Sequence, residues 1–181
     1  SISEMRALQH MIYPQLNSEA LDNTRQQPKP NTEPHVAART APQTTSHLSQ
    51  DNAADIKHDL IALGAQTSAA KQEAENSMWE IKHAMEKKDL RALKTAIEKS
   101  NKRIQSLNQN YDAVSLKSSE VAAAREKLIK NNNLQIEMGN IILSSSPDRQ
   151  KFEELQKKRS NSQKMVEIEM EALWIKANTA S

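Results

Sequence analysis

Cysteine is absent from this 181-residue chain, and glycine and aromatic residues are scarce. Without cysteine the chain can form neither disulfides nor thiolate metal sites. Two glycines leave few places for turns with positive φ, so sheet-rich folds and glycine-rich phosphate loops are poorly supported. Only 3% of the residues are aromatic and 36% are hydrophobic. We therefore expect no broad, deep core, because aromatic side chains supply much of the area that a core buries.

Long apolar runs and a strong net charge are also missing. No run approaches the roughly 20 apolar residues that a membrane-spanning helix needs. The 25 basic and 23 acidic residues leave a net charge of +2, which is too small to attract nucleic acid at long range. The short basic clusters at 99–103 and 157–159 have acidic neighbours and no interleaved aromatic residue that could stack on bases. We therefore expect no nucleic-acid partner.

The residues that abound, Ala, Lys, Glu, Gln, Leu and Ser, are those of long solvated helices. Residues 1–16 carry a short amphipathic helical pattern that Pro14 is expected to end. Residues 17–50 are rich in Pro, Thr and Gln, and they have too few large apolar side chains to offset the entropy of ordering. The chain thus divides into a short helix with a flexible arm at 1–50 and a helical coiled-coil bundle at 51–181.

Two apolar stripes with steps of three and four residues dominate the bundle region. The first runs from Ile56 to Met85 and begins after a cap at Asp51 or Asn52. The second extends over 90–128, which favours one helix of about 60 Å. The candidate packing and interaction residues on this second stripe are Leu90, Leu93, Ile97, Ile104, Leu107, Tyr111 and Val114.

The segment that joins the two stripes has the chemistry of a turn. Lys87 and Lys88 suit the negative end of a helix dipole, and Asp89 suits an N-cap. A loop of two to five residues is enough to join antiparallel helices. We therefore predict that Leu90 begins a helix that runs back along residues 55–85.

Further breaks are expected towards the C-terminus. The three asparagines at 131–133 are expected to bend or stop a helix. Ser146 is a candidate cap, with Pro147 at the first helical position. A last helix then runs over 148–177. Its expected apolar face consists of Phe152, Leu155, Val166 and Leu173, widened by Met165, Ile168, Ala172 and Ile175.

Trp79 and Trp174 lie near the ends of their helices, each beside large apolar residues. We expect both to be buried anchors between helices. The alternative is that one of them is exposed for a partner, because tryptophan is enriched at the centres of protein interfaces.

One motif resembles a metal-ligand pair, namely Glu80 and His83 three residues apart. Helical bundles that hold paired iron or manganese need a second such pair and two more glutamates, which the sequence does not provide. His58 is expected on a solvated stretch with its neighbours Lys57 and Asp59. Cysteine nucleophiles and glycine-flanked serines are absent, and the paired carboxylates have the spacing of a solvated helix. We therefore predict no metal, no cofactor and no enzymatic activity.

Together these patterns predict an all-α fold. It is an elongated antiparallel helical hairpin, extended into a coiled-coil bundle of three to four helices, with a largely irregular N-terminal arm. The predicted function is that of a non-enzymatic structural or assembly protein, which binds protein partners through helix–helix packing and forms an oligomer.

The polar, Ser/Thr/Gln-rich beginning and the cysteine-free coiled-coil body resemble those of secreted helical-hairpin components of bacterial secretion machines, including needle-tip and translocator proteins. This resemblance implies a secreted, surface or periplasmic location, and it assigns no role to any single residue. The alternative is a cytosolic adaptor, chaperone or regulator that binds a partner helix along the apolar seam. A third hypothesis is membrane contact through the apolar stretch at 134–143.

Overall fold

The computed structural model describes residues 2–25 and 47–179, with side chains described for 2–16 and 47–179. Within these ranges the regular structure is helical, apart from an isolated bridge between Ser49 and Ser118. The predicted all-α bundle is confirmed. The helices are α1 (Ile2–Arg25), α2 (Ala53–Glu86), α3 (Leu90–Ala113), α4 (Ser119–Leu143) and α5 (Arg149–Thr179).

The turn between α2 and α3 forms as its residues predict. Lys88 has a positive φ of 55°, and it lets the chain reverse directly after α2. The Asp89 carboxylate then accepts a hydrogen bond of 3.0 Å from the Ala92 N–H, which caps α3. Asn52 caps α2 in the same way, by accepting a 3.0 Å bond from the Asp55 N–H. Helices α2 and α3 pack against each other, so the predicted hairpin is confirmed.

The single long helix predicted over 90–128 is wrong, because the chain leaves helical geometry between Ala113 and Ser119. The interruption is held by Asp59 of α2, which is completely buried rather than solvated as expected. Its carboxylate accepts bonds from the Lys117 N–H at 2.9 Å and from the Ser118 N–H at 2.7 Å. The Ser118 hydroxyl donates a further bond of 2.7 Å to the same carboxylate. We call Asp59, Lys117 and Ser118 the loop clasp.

A buried arginine completes the end of α3. Arg125 of α4 donates hydrogen bonds to the carbonyls of Val114 at 2.7 Å and Tyr111 at 3.3 Å. Carbonyls at the end of a helix lack the usual i+4 donor, and the Tyr111 carbonyl also accepts a 3.2 Å bond from the Val114 N–H. The break therefore satisfies its polar groups from two other helices, which the local sequence of residues 113–118 does not reveal.

Three other predicted helix ends are also wrong. α1 continues through Pro14 to Arg25, and it buries apolar side chains on both sides of the proline. α4 runs uninterrupted through residues 131–133, where Asn132 donates a 2.9 Å bond to the side chain of Asn108 of α3 and Asn133 accepts a 3.0 Å bond from it. α5 is capped by Asp148, which accepts from the Lys151 N–H at 3.0 Å, instead of by Ser146.

The apolar side chains form two clusters. One lies near the α2–α3 turn and includes the inward face of α1. The other surrounds the loop clasp, where α2, α3, α4 and α5 meet. The first cluster includes Met5, Leu8, Ile81, Met85, Leu93, Ile97, Met138, Ile142 and Phe152. The second includes Ile56, Leu60, Leu63, Tyr111, Leu116, Val121 and Leu173.

The division of the chain into 1–50 and 51–181 stays a prediction. The predicted flexible arm falls largely on residues 26–46, which lie outside the described residues.

Candidate protein-interaction surfaces

The apolar stripe of α3 is used inside the bundle. Leu93 and Ile97 lie in the first cluster with Leu90 half-buried beside them. Further along, Ile104 is 2% exposed and Tyr111 is 3% exposed. Leu107 and Val114 are half-buried against the second cluster. These candidate residues therefore hold helices of the same chain together, and the seam is not open to a partner helix.

Tyr111 illustrates this internal role. Its hydroxyl lies 2.6 Å from the Thr67 hydroxyl of α2. Burial raises the pKa of the Tyr111 phenol, and the hydrogen bond with Thr67 opposes that shift only partly. The phenol is thus kept neutral and bonded between α2 and α3, which is the behaviour of a packing residue.

Trp79 lies on the outside of α2, with 62% of its surface exposed, so the prediction of a buried anchor is wrong. Ile81, Ala84 and Met85 occupy the inward face of this part of the helix instead. The indole stacks on the His83 ring, with centroids 4.6 Å apart and an interplanar angle of 12°. Both rings border an open groove of about 500 Å³ between the end of α2 and the start of α3.

The Glu80 and His83 side chains have different partners. Glu80 forms a 3.0 Å ion pair with Lys99 of α3, while the His83 ring stacks on Trp79. Within residues 2–25 and 47–179, no cluster of three or more His, Asp or Glu side chains is suited to holding a metal ion.

α5 has two apolar faces, where the sequence predicted one broad face. Phe152, Leu155, Val166 and Leu173 are buried against the bundle. Met165, Ile168 and Ile175 point away from it, with 65%, 63% and 58% of their surfaces exposed. Ala172 is exposed between them. We call Met165, Ile168, Ala172 and Ile175 the outer stripe.

Trp174 also departs from the buried anchor that we predicted, because 38% of its surface is exposed. Its neighbours Leu173 and Ala177 take the inward positions at this end of α5. The two tryptophans of the chain are thus both accessible, one near each end of the bundle.

Charged residues flank the outer stripe on both sides. On the side towards α4, Glu169 pairs with Lys127 at 2.6 Å. On the same side, Lys176 pairs with Asp51 and lies 3.6 Å from Glu120. On the other side lie Lys164 and Glu171, both exposed. Neither has an ion-pair partner among the described side chains.

The ion pairs around Lys176 shift the pKa values of its partners. The hydrogen bond and the charge of Lys176 lower the pKa of Asp51. Burial alone would raise the pKa of Glu120, but hydrogen bonds, including one from the Asp51 N–H, and the charge of Lys176 lower it overall. The hydrogen bond to Asp51 raises the pKa of Lys176. This network joins the segment before α2 to the start of α4 and to the end of α5.

Residues 57–178, more than half of the chain, match the model of a protein family described as "Uncharacterised lipoprotein PM1805". The chain belongs to this family. The match spans nearly all of α2 to α5, and so includes the loop clasp, Trp79 and the outer stripe. Membership in a lipoprotein family indicates a membrane-associated or surface protein.

No curated protein and no solved structure matches the chain. In the two described ranges, none of the helices is long and apolar enough to cross a bilayer.

Sequence reasoning missed two features of these surfaces. The burial of Asp59 did have a periodic signal, because Asp59 lies three residues after Ile56 and four before Leu63, on the same face of the helix; the prediction of a solvated stretch followed its polar neighbours Lys57 and His58 instead. The exposure of the outer stripe also had a signal. Its residues repeat at steps of three, four and three, separately from the repeat of the buried face, which indicates a second seam.

Proposed function

We propose that this protein is a non-enzymatic, membrane-associated structural or assembly protein that binds other proteins through its helical surfaces. The observation that carries the proposal is the lipoprotein-family match over 57–178. The packing of the bundle supports it as well, because the α3 stripe is used internally while other large apolar residues, among them Trp79 and Ile168, face outwards. The non-enzymatic part is supported by the sequence, which has no cysteine nucleophile and no phosphate-binding glycine loop.

Membrane attachment in this proposal comes from a covalent lipid. Burial of acyl chains contributes about 0.8 kcal/mol per CH₂ group, so two chains hold a protein firmly on a bilayer. Lipids that are attached through sulfur need a cysteine, and the 181 residues contain none. The experiment therefore uses the natural gene with all of its own coding sequence, expressed in its own host.

Membrane fractionation tests this attachment. Membranes are washed with high salt and then with alkaline carbonate, and a tagged copy of the natural protein is followed by immunoblotting. We expect the protein to stay in the membrane pellet and to be released by detergent, because a lipid anchor does not depend on charge. Recovery in the soluble cytosolic fraction would contradict the proposal and favour the cytosolic adaptor.

The exposed Trp79–His83 stack supports the binding part of the proposal. An exposed tryptophan beside a groove has the composition of an interface hot spot. We expect chemical crosslinking in intact cells to give adducts that Trp79→Ala removes, with Ile61→Ala as the matched control. Ile61 also lies on α2, with 56% of its surface exposed. Adducts that survive Trp79→Ala unchanged would argue against a partner at this site.

The narrower proposal, a component of a secretion machine or appendage, rests on the composition of the chain. It requires the protein to leave the cell or to stand on its surface. Protease treatment of intact cells tests this requirement, since a surface protein is digested and an internal one is protected. Detection in the culture supernatant would support the secreted form.

A further inference from the structure

α1 lies against the rest of the bundle as an amphipathic helix. Its buried residues are related by steps of three and four, which is the pattern of a helix that binds in a groove. These residues are Met5, Leu8, Met11, Ile12 and Leu16. They belong to the first cluster, to which α2, α3, α4 and α5 also contribute. We call the surface that α1 covers the α1 groove. Its walls include Ile81, Ile97, Met138, Ile142 and Phe152.

Two polar contacts set the position of α1 along this groove. The Gln9 side chain donates a 3.1 Å hydrogen bond to the Met85 carbonyl at the end of α2. The Glu4 carboxylate lies 3.7 Å from the Lys94 ammonium group of α3. The groove therefore offers a basic edge to an acidic residue that directly precedes the apolar face of its helix.

α1 is an imperfect occupant of the groove. Pro14 lies inside the helix, where it lacks the N–H that would bond to the His10 carbonyl and its ring crowds that carbonyl. A pocket of about 50 Å³ also remains between the groove and the side chains of Ile12 and Leu16. Unfilled space forfeits contacts that a closely packed helix would make. A helix of the same pattern without the proline would therefore be a better ligand than α1.

The groove lies in the part of the chain that matches the family, and α1 does not. The groove walls named above fall within residues 57–178, whereas α1 ends at Arg25. The covalent connection of α1 to the bundle runs through residues 26–52. α1 can therefore leave the groove while the contacts among α2, α3, α4 and α5 stay in place.

We infer that the α1 groove binds an amphipathic helix of a partner protein, and that α1 is a tethered occupant that this helix displaces. The partner helix lacks proline. It carries an acidic residue followed by apolar residues one, four, eight and twelve positions later, as Glu4 is followed by Met5, Leu8, Ile12 and Leu16.

The inference rests on the binding part of the proposed function and deepens it. It names the kind of partner, and it concerns a surface separate from the groove beside Trp79. The experiments below measure the α1 groove alone. Their failure would leave the membrane attachment and the crosslinks at Trp79 untouched, so it can be distinguished from a failure of the proposed function.

Fluorescence anisotropy with the full 181-residue chain tests the displacement. The probe is a labelled synthetic peptide of residues 1–25 that carries Pro14→Ala. We expect saturable binding to the wild-type chain, because the probe lacks the proline of the helix that it displaces. A probe that also carries Leu8→Asp should not bind. The matched control carries Ala7→Asp, on the exposed side of α1, and should bind like the parent probe.

Two variants of the chain shift the competition in opposite directions. Pro14→Ala strengthens α1, so the probe should bind this chain at least about tenfold more weakly than the wild type. Because Pro14 is exposed, this variant should keep the fold. Leu8→Asp weakens the docking of α1, so the probe should bind at least about tenfold more tightly. If Leu8→Asp does not fold, the Pro14→Ala comparison decides by itself. Equal affinities for the wild-type and Pro14→Ala chains would overturn the inference.

Hydrogen exchange of the wild-type chain locates the binding site. The probe should speed exchange in residues 2–16 and leave exchange in α3 and α4 unchanged, because it takes the place of α1. Binding without faster exchange in α1 would overturn the inference. So would a wild-type dimer in sedimentation equilibrium that Leu8→Asp dissociates, since α1 of a second copy would then fill the groove.

Discussion

Helices α3 and α5 both carry apolar stripes with coiled-coil spacing, and the bundle uses the two differently. The stripe of α3 is consumed by packing against helices of the same chain, with Ile104 only 2% exposed. α5 buries one stripe and presents a second, in which Ile168 is 63% exposed. Periodicity thus shows which residues share a face of a helix, but it does not show what covers that face. In this chain the strongest stripe holds the fold, and a weaker one remains available for association.

The largest expected effect is at the clasp that ends α3. Asp59→Ala should lower the free energy of unfolding by about 3–5 kcal/mol, because it removes a buried acceptor and leaves the Lys117 and Ser118 N–H groups unsatisfied. Urea unfolding followed by circular dichroism measures this loss.

Asp89→Ala, which removes the exposed N-cap of α3, is the reference variant for that experiment. It should lower the free energy of unfolding by about 1 kcal/mol. If Asp59→Ala cost no more than Asp89→Ala, the clasp would not be what separates α3 from α4.

A matched pair of isoleucines tests the two stripes directly. Ile104→Ala should destabilise the protein by about 2–5 kcal/mol, because it opens a cavity in the bundle. Ile168→Ala should change the stability by less than about 0.5 kcal/mol, because the side chain is on the surface. The two variants are compared by thermal and urea unfolding of dilute protein. Equal losses at the two positions would contradict the division into a buried and an outer stripe.

The two glycines provide a smaller comparison, one on the α3–α4 contact and one away from it. A Cβ at Gly139 would collide with the Asn101 Oδ1 of α3, whose amide is held by a 3.0 Å bond to Asn140. Gly139→Ala should therefore destabilise the protein by about 1–3 kcal/mol. A Cβ at Gly64 meets nothing within 4 Å, so Gly64→Ala should stabilise α2 by about 1 kcal/mol. The same sign in both variants would contradict the close approach of α3 and α4.

The smallest effect concerns the charges that tie α5 to the segment before α2. The pKa values of Asp51 and Glu120 are lowered in the folded chain, so their contribution to stability is present above their unfolded values. It is lost as the pH falls through the folded values. Lys176→Met should therefore lower the melting temperature slightly at pH 7, and the difference from the wild type should disappear near about pH 2. A difference that persists in acid would show that Lys176 acts through packing.

Features with local causes could be predicted from the sequence. The α2–α3 turn was predicted because Lys87, Lys88 and Asp89 are themselves the turn and the cap. The all-α class followed from the scarcity of glycine and the long stripes. The break after Ala113 could not be predicted in this way, because the carboxylate that holds it lies 58 residues from Lys117 in the sequence.

The candidate site shows the same limit of local signals. The residues of the α3 stripe were predicted as candidate packing or interaction residues, and in the structure they pack against helices of the same chain. Trp79 and Trp174 were expected inside because large apolar neighbours flank them, but Ile81 and Leu173 take the inward positions. Which residue of such a pair is buried depends on how the helix is rotated against the bundle, and this is set by the sum of its contacts.

The most direct test of the difference between the two stripes uses thiol labelling, for which a chain without cysteine is well suited. Purified Ile104→Cys and Ile168→Cys chains are each treated with a thiol reagent under native conditions, and the labelling rates are measured. The account predicts that Ile168→Cys reacts as fast as the exposed Ile61→Cys and that Ile104→Cys reacts far more slowly, because position 104 is 2% exposed and position 168 is 63% exposed. Equal labelling rates at positions 104 and 168 would contradict it.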